Sequence, residues 1–68
     1  MSASKVIKQI MIERGKGVKE LAESLGIAPQ SMSNKLYRDS FSYEEVIKIA
    51  DILNCDVKII ARDGGKMF

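Results

Sequence analysis

The 68-residue sequence contains no histidine and only one cysteine. Without histidine there is no imidazole to serve as a general base or metal ligand, and a lone cysteine is then a weak nucleophile candidate. A glycine-rich phosphate loop is also missing, because Gly15 and Gly17 lack the spacing and the preceding strand that it requires. We therefore expect no enzymatic activity, no metal and no other cofactor.

Long apolar runs are absent as well. No segment approaches the roughly 18 apolar residues that indicate a transmembrane helix. The N-terminal segment places Lys8, Glu13 and Arg14 where a secretory signal would be apolar. The single cysteine, Cys55, excludes an internal disulfide framework and is expected to be a small core residue or to lie near an interface. These features predict a cytoplasmic protein with no membrane partner.

Acidic residues are missing from one part of the chain. The net charge is only +2, but no acid occurs between Ser24 and Arg38, a segment that also contains Lys35. This distribution indicates one positive face and an anionic partner. The chain is 46% hydrophobic and 29% charged, as is typical of a globular protein, and its length predicts a single domain with a thin core.

The first predicted helix begins after Ser2 or Ser4 and ends at Gly15. Its apolar residues follow a helical spacing: Ala3, Val6, Ile7 and Ile10. Met11 and Ile12 widen this stripe, which fits either a core contact on two sides or contact with a partner.

Two short helices follow. The second helix starts near Gly17 or Val18 and ends at Gly26, and its inward stripe comprises Val18, Leu21, Ala22 and Leu25. The third helix begins at Pro29, whose fixed φ suits the first helical position. We expect Pro29, Met32 and Leu36 to face inward, which leaves its polar side chains outside: Gln30, Ser31, Asn34 and Lys35.

A capping box at Ser42 and Glu45 marks a fourth helix that ends near Asn54. Its expected apolar face comprises Tyr43, Val46, Ile47, Ile49, Ala50 and Leu53. Residues 56–62 then alternate roughly by two, which predicts a strand, and residues 63–65 form a turn signal before a short second strand at 66–68. This divides the chain into a helical part, 1–55, and a C-terminal β segment, 56–68.

Helices joined by a short glycine-containing turn form a helix-turn-helix motif. Here the small Ala22 permits close helix crossing, Gly26 lies in the turn four residues later, and Ile27 and Met32 fill the space between. The pattern LAESLG-I-x-P-Q-S-x-S, with YEEVIKIADILN after it, resembles the Cro/repressor (Xre-type) helix-turn-helix family, the lambda-repressor-like DNA-binding domains, over about residues 6–54. The resemblance implies a mainly α bundle of about four helices, to which the β segment would add a short strand or hairpin.

The exposed face of the third helix has the chemistry for the major groove. Gln30 and Asn34 lie on one side of the helix, and amides can pair with adenine N6 and N7. With the resemblance, this predicts base contacts from Gln30, Ser31 and Asn34. Predicted contacts to the DNA backbone come from Lys16, Lys19, Ser33, Lys35 and Arg38. The turn residues Ala22, Gly26 and Pro29 are expected to be structural.

Three features depart from the family pattern. Gly17 and Val18 replace the usual hydroxyl cap and glutamine of the second helix, and Ala28 replaces a serine cap before the third. A strand pair is predicted where many relatives have a fifth helix. Contacts to the DNA backbone at the start of the second helix are therefore expected to differ from those of relatives.

A short recognition helix reads few base pairs, and family members usually bind as two-fold dimers. The apolar residues of the β segment require cover, either from a second chain or from the helices of their own chain. The expected dimerisation residues are Val57, Ile59, Ile60, Met67 and Phe68.

The predicted function is sequence-specific binding of double-stranded DNA by a homodimeric transcriptional regulator, of the phage or plasmid repressor type, without a small-molecule effector. The alternative is a protein-interaction module, antitoxin-like or an adaptor, in which the helix-turn-helix is a scaffold and the β segment binds another protein. A steep loss of affinity with rising salt would distinguish DNA binding from that alternative.

Overall fold

The computed structural model describes residues 2–68 and contains four α-helices in that range. The helices are α1 (Ala3–Arg14), α2 (Val18–Leu25), α3 (Pro29–Arg38) and α4 (Tyr43–Ile52). The mainly helical helix-turn-helix fold predicted from the sequence is confirmed.

The helix ends follow from local hydrogen bonding and from left-handed residues. Ser2 caps α1 by accepting a hydrogen bond from the Lys5 N–H at 3.2 Å, and α1 ends at Gly15, whose φ is 65°. The capping box of α4 is present: the Ser42 hydroxyl accepts from the Glu45 N–H at 3.1 Å, and the Glu45 carboxylate accepts from the Ser42 N–H at 2.9 Å. Asn54 follows the end of α4 with a φ of 59°, in the left-handed region that asparagine tolerates.

A small core lies where α2 packs against α3 and α4, and α1 packs against α4. Leu21, Met32, Ile49 and Leu53 are its largest fully buried side chains. The cluster also includes Ile7, Met11, Ala22 and Leu36, and Cys55 packs against it half-buried. Met11 is thus a core residue, whereas the neighbouring Ile12 is 81% exposed.

The predicted inward faces were too wide. Val6, Tyr43 and Ile47 are exposed, and Pro29 is also exposed although it was expected to face inward. Short helices cover only a narrow stripe of one another, so residues at the edge of an apolar stripe remain in contact with solvent. Pro29 stabilises the start of α3 through its backbone geometry and not through burial.

Asp39 connects the end of α3 to the start of α1. It adopts a left-handed conformation with φ 55°, and its carboxylate accepts a hydrogen bond from the Ser4 N–H at 2.9 Å. A carboxylate at a helix N-terminus satisfies an unpaired N–H and interacts favourably with the helix dipole. The end of the candidate recognition helix is thereby fixed to the body of the domain.

The predicted C-terminal strands are not found within residues 2–68. An isolated antiparallel bridge joins Ile60 and Met67 around a turn, and flanking backbone hydrogen bonds join Ile59 to Phe68 and Ala61 to Lys66. The turn predicted at residues 63–65 is present, with Gly64 and Gly65 at positive φ. The backbone pairing thus runs from Ile59–Phe68 to Ala61–Lys66. A two-stranded hairpin of this length without a third strand is marginal in water.

The C-terminal segment lies largely in solvent. The radius of gyration is 12.9 Å, which exceeds the roughly 11 Å typical of a compact chain of this length. The molecule measures 42 × 22 × 19 Å along its principal axes. Within residues 2–68, no helix has both the length and the apolar composition needed to cross a membrane.

Candidate nucleic-acid interface

One side of α3 is fixed to the core and the other side is open. Met32 is completely buried and Leu36 is 5% exposed, which places this edge of the helix against α2. The predicted base-contacting residues Gln30, Ser31 and Asn34 are all exposed, as is Ser33. A helix anchored along one stripe and polar along the other presents hydrogen-bonding groups to any partner that reaches it.

The two amide side chains on this face are already connected to each other. The Gln30 Nε2 group donates a hydrogen bond to Asn34 Oδ1 at 3.2 Å. Asn34 Oδ1 retains a second lone pair and its Nδ2 group retains two donors, so a bidentate contact to a base remains available. Restricting these side chains in advance lowers the entropy lost when they bind a partner.

Tyr37 belongs to the same face and was not singled out from the sequence. It is 90% exposed, three residues after Asn34 and four after Ser33. That spacing places it on the same side of the helix. An exposed aromatic hydroxyl can donate to phosphate oxygens. Its position at helical spacing from the amides was the available signal.

The predicted phosphate-contacting cations differ in their surroundings. Lys19 and Arg38 are exposed, and within residues 2–68 neither has a carboxylate at ion-pair distance. Lys16 lies 3.9 Å from Glu20 in a loose pair one helical turn apart, which is weak at an exposed position. Lys35 is different, because its Nζ lies 2.7 Å from the Glu45 carboxylate of α4.

The Glu45 carboxylate lies beside Lys35, at the edge of the exposed polar face of α3. The hydrogen bond from Lys35 lowers the pKa of Glu45 below its ordinary value, and the hydrogen bond from the Ser42 backbone adds to this effect. Glu45 is therefore ionised at neutral pH. Lys35, a predicted contact to the DNA backbone, is paired with Glu45 within the domain.

Ala22 and Gly26 lie at the crossing of α2 and α3 and in the turn between these helices. Ala22 is fully buried at the helix crossing, and Gly26 has a φ of 72°. The N-caps of α2 and α3 differ from the family pattern, as the sequence indicates. Gly17 and Ala28 occupy N-cap positions with no side-chain hydrogen bond, although Glu20 accepts a hydrogen bond from the Gly17 N–H at 3.4 Å. Main-chain geometry and packing therefore define where α2 and α3 begin.

Comparison with known protein families gives a match over most of the chain. The model of the bacteriophage CI repressor helix-turn-helix domain matches residues 5–68, nearly the whole chain. No curated protein and no solved structure gives a significant match. The match includes the helix-turn-helix and extends through the C-terminal segment.

Proposed function

The chain belongs to the bacteriophage CI repressor helix-turn-helix family, and from this premise we propose that it is a phage- or plasmid-type repressor that reads the DNA major groove with α3. The observation that carries the proposal is the open face of α3, where two connected amides and two serines are exposed on a helix anchored by Met32 and Leu36. The repressor description of the family favours DNA binding over the protein-interaction alternative.

Base reading is assigned to Gln30, Asn34 and Ser31. An amide that pairs with adenine N6 and N7 contributes about 1–3 kcal/mol of discrimination against another base. Asn34 is suited to this contact because Gln30 holds its carbonyl from one side while both Nδ2 donors stay free. Ser31, which is exposed in the first turn of α3, can donate to or accept from a base edge.

Backbone contacts are assigned to residues around that face. The contacting residues are Lys16, Lys19, Ser33, Arg38 and Tyr37, while Lys35 takes part only after leaving Glu45. Such contacts fix the position of the protein on the duplex without reading sequence. Each neutralised phosphate makes the slope of log affinity against log salt more negative by about 0.9.

A homodimer is proposed through residues 56–68, because one α3 reads too few base pairs for useful specificity. Ile59, Ile60, Met67 and Phe68 are each 59–70% exposed. A second copy of the same segment would cover these side chains and extend the single bridge between Ile60 and Met67. Two recognition helices would then meet half-sites about 34 Å apart.

The dimer is tested by light scattering on the variant Ile60→Ser/Met67→Ser. The expected result is a monomer, because the variant lacks two of the apolar side chains that a second copy would cover. Both side chains are exposed in the single chain, so their loss does not disturb its core. Ile12→Ser is the matched control, because Ile12 is 81% exposed on α1. An unchanged dimer in the double variant would overturn this interface.

DNA binding is tested by selection from a pool of random duplexes, followed by titration of the selected duplex at several salt concentrations. The expected result is a two-fold symmetric sequence and an affinity that falls steeply with salt. Recovery of no enriched sequence, or an affinity independent of salt, would contradict the proposal.

A further inference from the structure

Lys35 and Glu45 join the flank of the recognition helix to the start of α4. Their charged atoms are 2.7 Å apart, and both side chains remain partly open to solvent, at 31% and 35% exposure. Lys35 directly follows Asn34 in the chain, so the pair lies beside the proposed base-reading face. A duplex that meets α3 therefore approaches this ion pair.

The Glu45 carboxylate uses both of its oxygens. Oε1 accepts the hydrogen bond from the Ser42 N–H at 2.9 Å, and Oε2 contacts Lys35. A backbone N–H at a helix start and a lysine ammonium are the groups that DNA phosphates commonly contact. In this domain both groups are occupied by one side-chain anion.

We propose that the Glu45 carboxylate competes with DNA phosphate for Lys35 and thereby limits the affinity of the domain for any duplex. The inference rests on the proposed DNA-binding function and deepens it. Because Lys35 must leave Glu45 before it can neutralise a phosphate, the wild-type protein binds DNA with one phosphate contact fewer than its cations allow. A phosphate contact does not depend on base sequence, so the limit applies equally to specific and non-specific DNA.

The test is the variant Glu45→Gln, measured by fluorescence anisotropy with the selected duplex and with a scrambled duplex of equal length. Glutamine can still accept from the Ser42 N–H and keep the capping box, so only the charge is removed. Glu44→Gln is the matched control, because it removes the same charge from the same turn, and within residues 2–68 Glu44 forms no ion pair.

The expected result is tighter binding by Glu45→Gln to both duplexes, with a salt slope more negative by about 0.9 than that of the wild type. The ratio of the DNA affinity of Glu45→Gln to that of the wild type is then about 3.5-fold larger at roughly 50 mM than at 200 mM salt. In a Lys35→Gln background, Glu45→Gln should change affinity no more than Glu44→Gln does. Circular dichroism confirms that each variant is folded.

Two results would overturn the inference in different ways. If the wild type binds DNA but Glu45→Gln and Glu44→Gln share one affinity and one slope, Glu45 does not compete for Lys35 and the DNA-binding function still stands. If neither the wild type nor Glu45→Gln binds any duplex, the proposed function fails and the inference fails with it.

Discussion

Completing the cap of α2 should stabilise the domain. Gly17 is the N-cap with φ −96° and ψ 170°, an extended conformation that serine adopts readily. Apart from Gly17 itself and its two chain neighbours, no heavy atom lies within 4 Å of the position that a Cβ would take. Glu20 already accepts a hydrogen bond from the Gly17 N–H, so a serine hydroxyl facing the Glu20 N–H would complete a capping box.

The expected change in stability follows from the effects of substitutions at helix N-caps. Serine exceeds glycine there by a few tenths of a kcal/mol and exceeds alanine by about 1 kcal/mol. We therefore expect the order of stability Gly17→Ser, wild type, Gly17→Ala. A difference of about 1 kcal/mol between the two variants corresponds to roughly 4–8 °C in Tm for a domain of this size.

The assay is thermal unfolding followed by circular dichroism. The pair Gly17→Ser and Gly17→Ala shares the loss of glycine flexibility, so their difference isolates the hydroxyl. Ser42→Ala provides the calibration, because Ser42 already forms the same kind of cap at 3.1 Å in α4. A clear loss in Ser42→Ala together with equal Tm values for the two Gly17 variants would refute the description of the start of α2.

Three further outcomes are expected. Gly26→Ala should lower stability by about 1–2 kcal/mol in urea titration, because φ is 72° there, and Gly26→Asn should cost less; equal costs would contradict the left-handed turn. Ser4→Ala should raise Tm, because the Ser4 hydroxyl is buried without a hydrogen-bond partner among residues 2–68, and a lower Tm would contradict this expectation. The stability advantage of the wild type over Glu45→Gln should be fully present at neutral pH and shrink below pH 4.5, the ordinary pKa of that carboxyl, since the folded-state pKa is lowered. An advantage that stayed constant to about pH 3 would exclude the Lys35 contact as its source.

The helices were predictable because their signals are local. Ser42 with Glu45, Pro29 and Gly26 each act within one or two turns of chain, and each lies at the helix end that its chemistry predicts. The exposure of Gln30 could also be predicted from the sequence, because the apolar residues of α3 lie along one side and leave the opposite side facing solvent.

Features that depend on contacts distant in sequence could not be predicted in this way. The bond from Ser4 to Asp39 spans 35 residues, and neither residue has a local pattern that indicates the other. The pairing of Lys35 with Glu45 likewise depends on how α4 packs beside α3. The β-branched pattern of residues 56–62 predicted a strand, but burial depends on tertiary packing, which leaves Ile59 and Ile60 exposed and only Val57 and Ala61 half-buried.

The most direct test of the central claim is a base-substitution scan of the selected duplex with the wild type, Gln30→Ala, Asn34→Ala and the control Gln9→Ala, which removes an exposed amide from α1. Asn34→Ala should lose about 1–3 kcal/mol of discrimination at one base pair in each half-site. Gln30→Ala should weaken discrimination at the same or the adjacent pair, and Gln9→Ala should match the wild type. Retention of the full wild-type preference at every base pair by Gln30→Ala and Asn34→Ala would contradict reading of the major groove by α3.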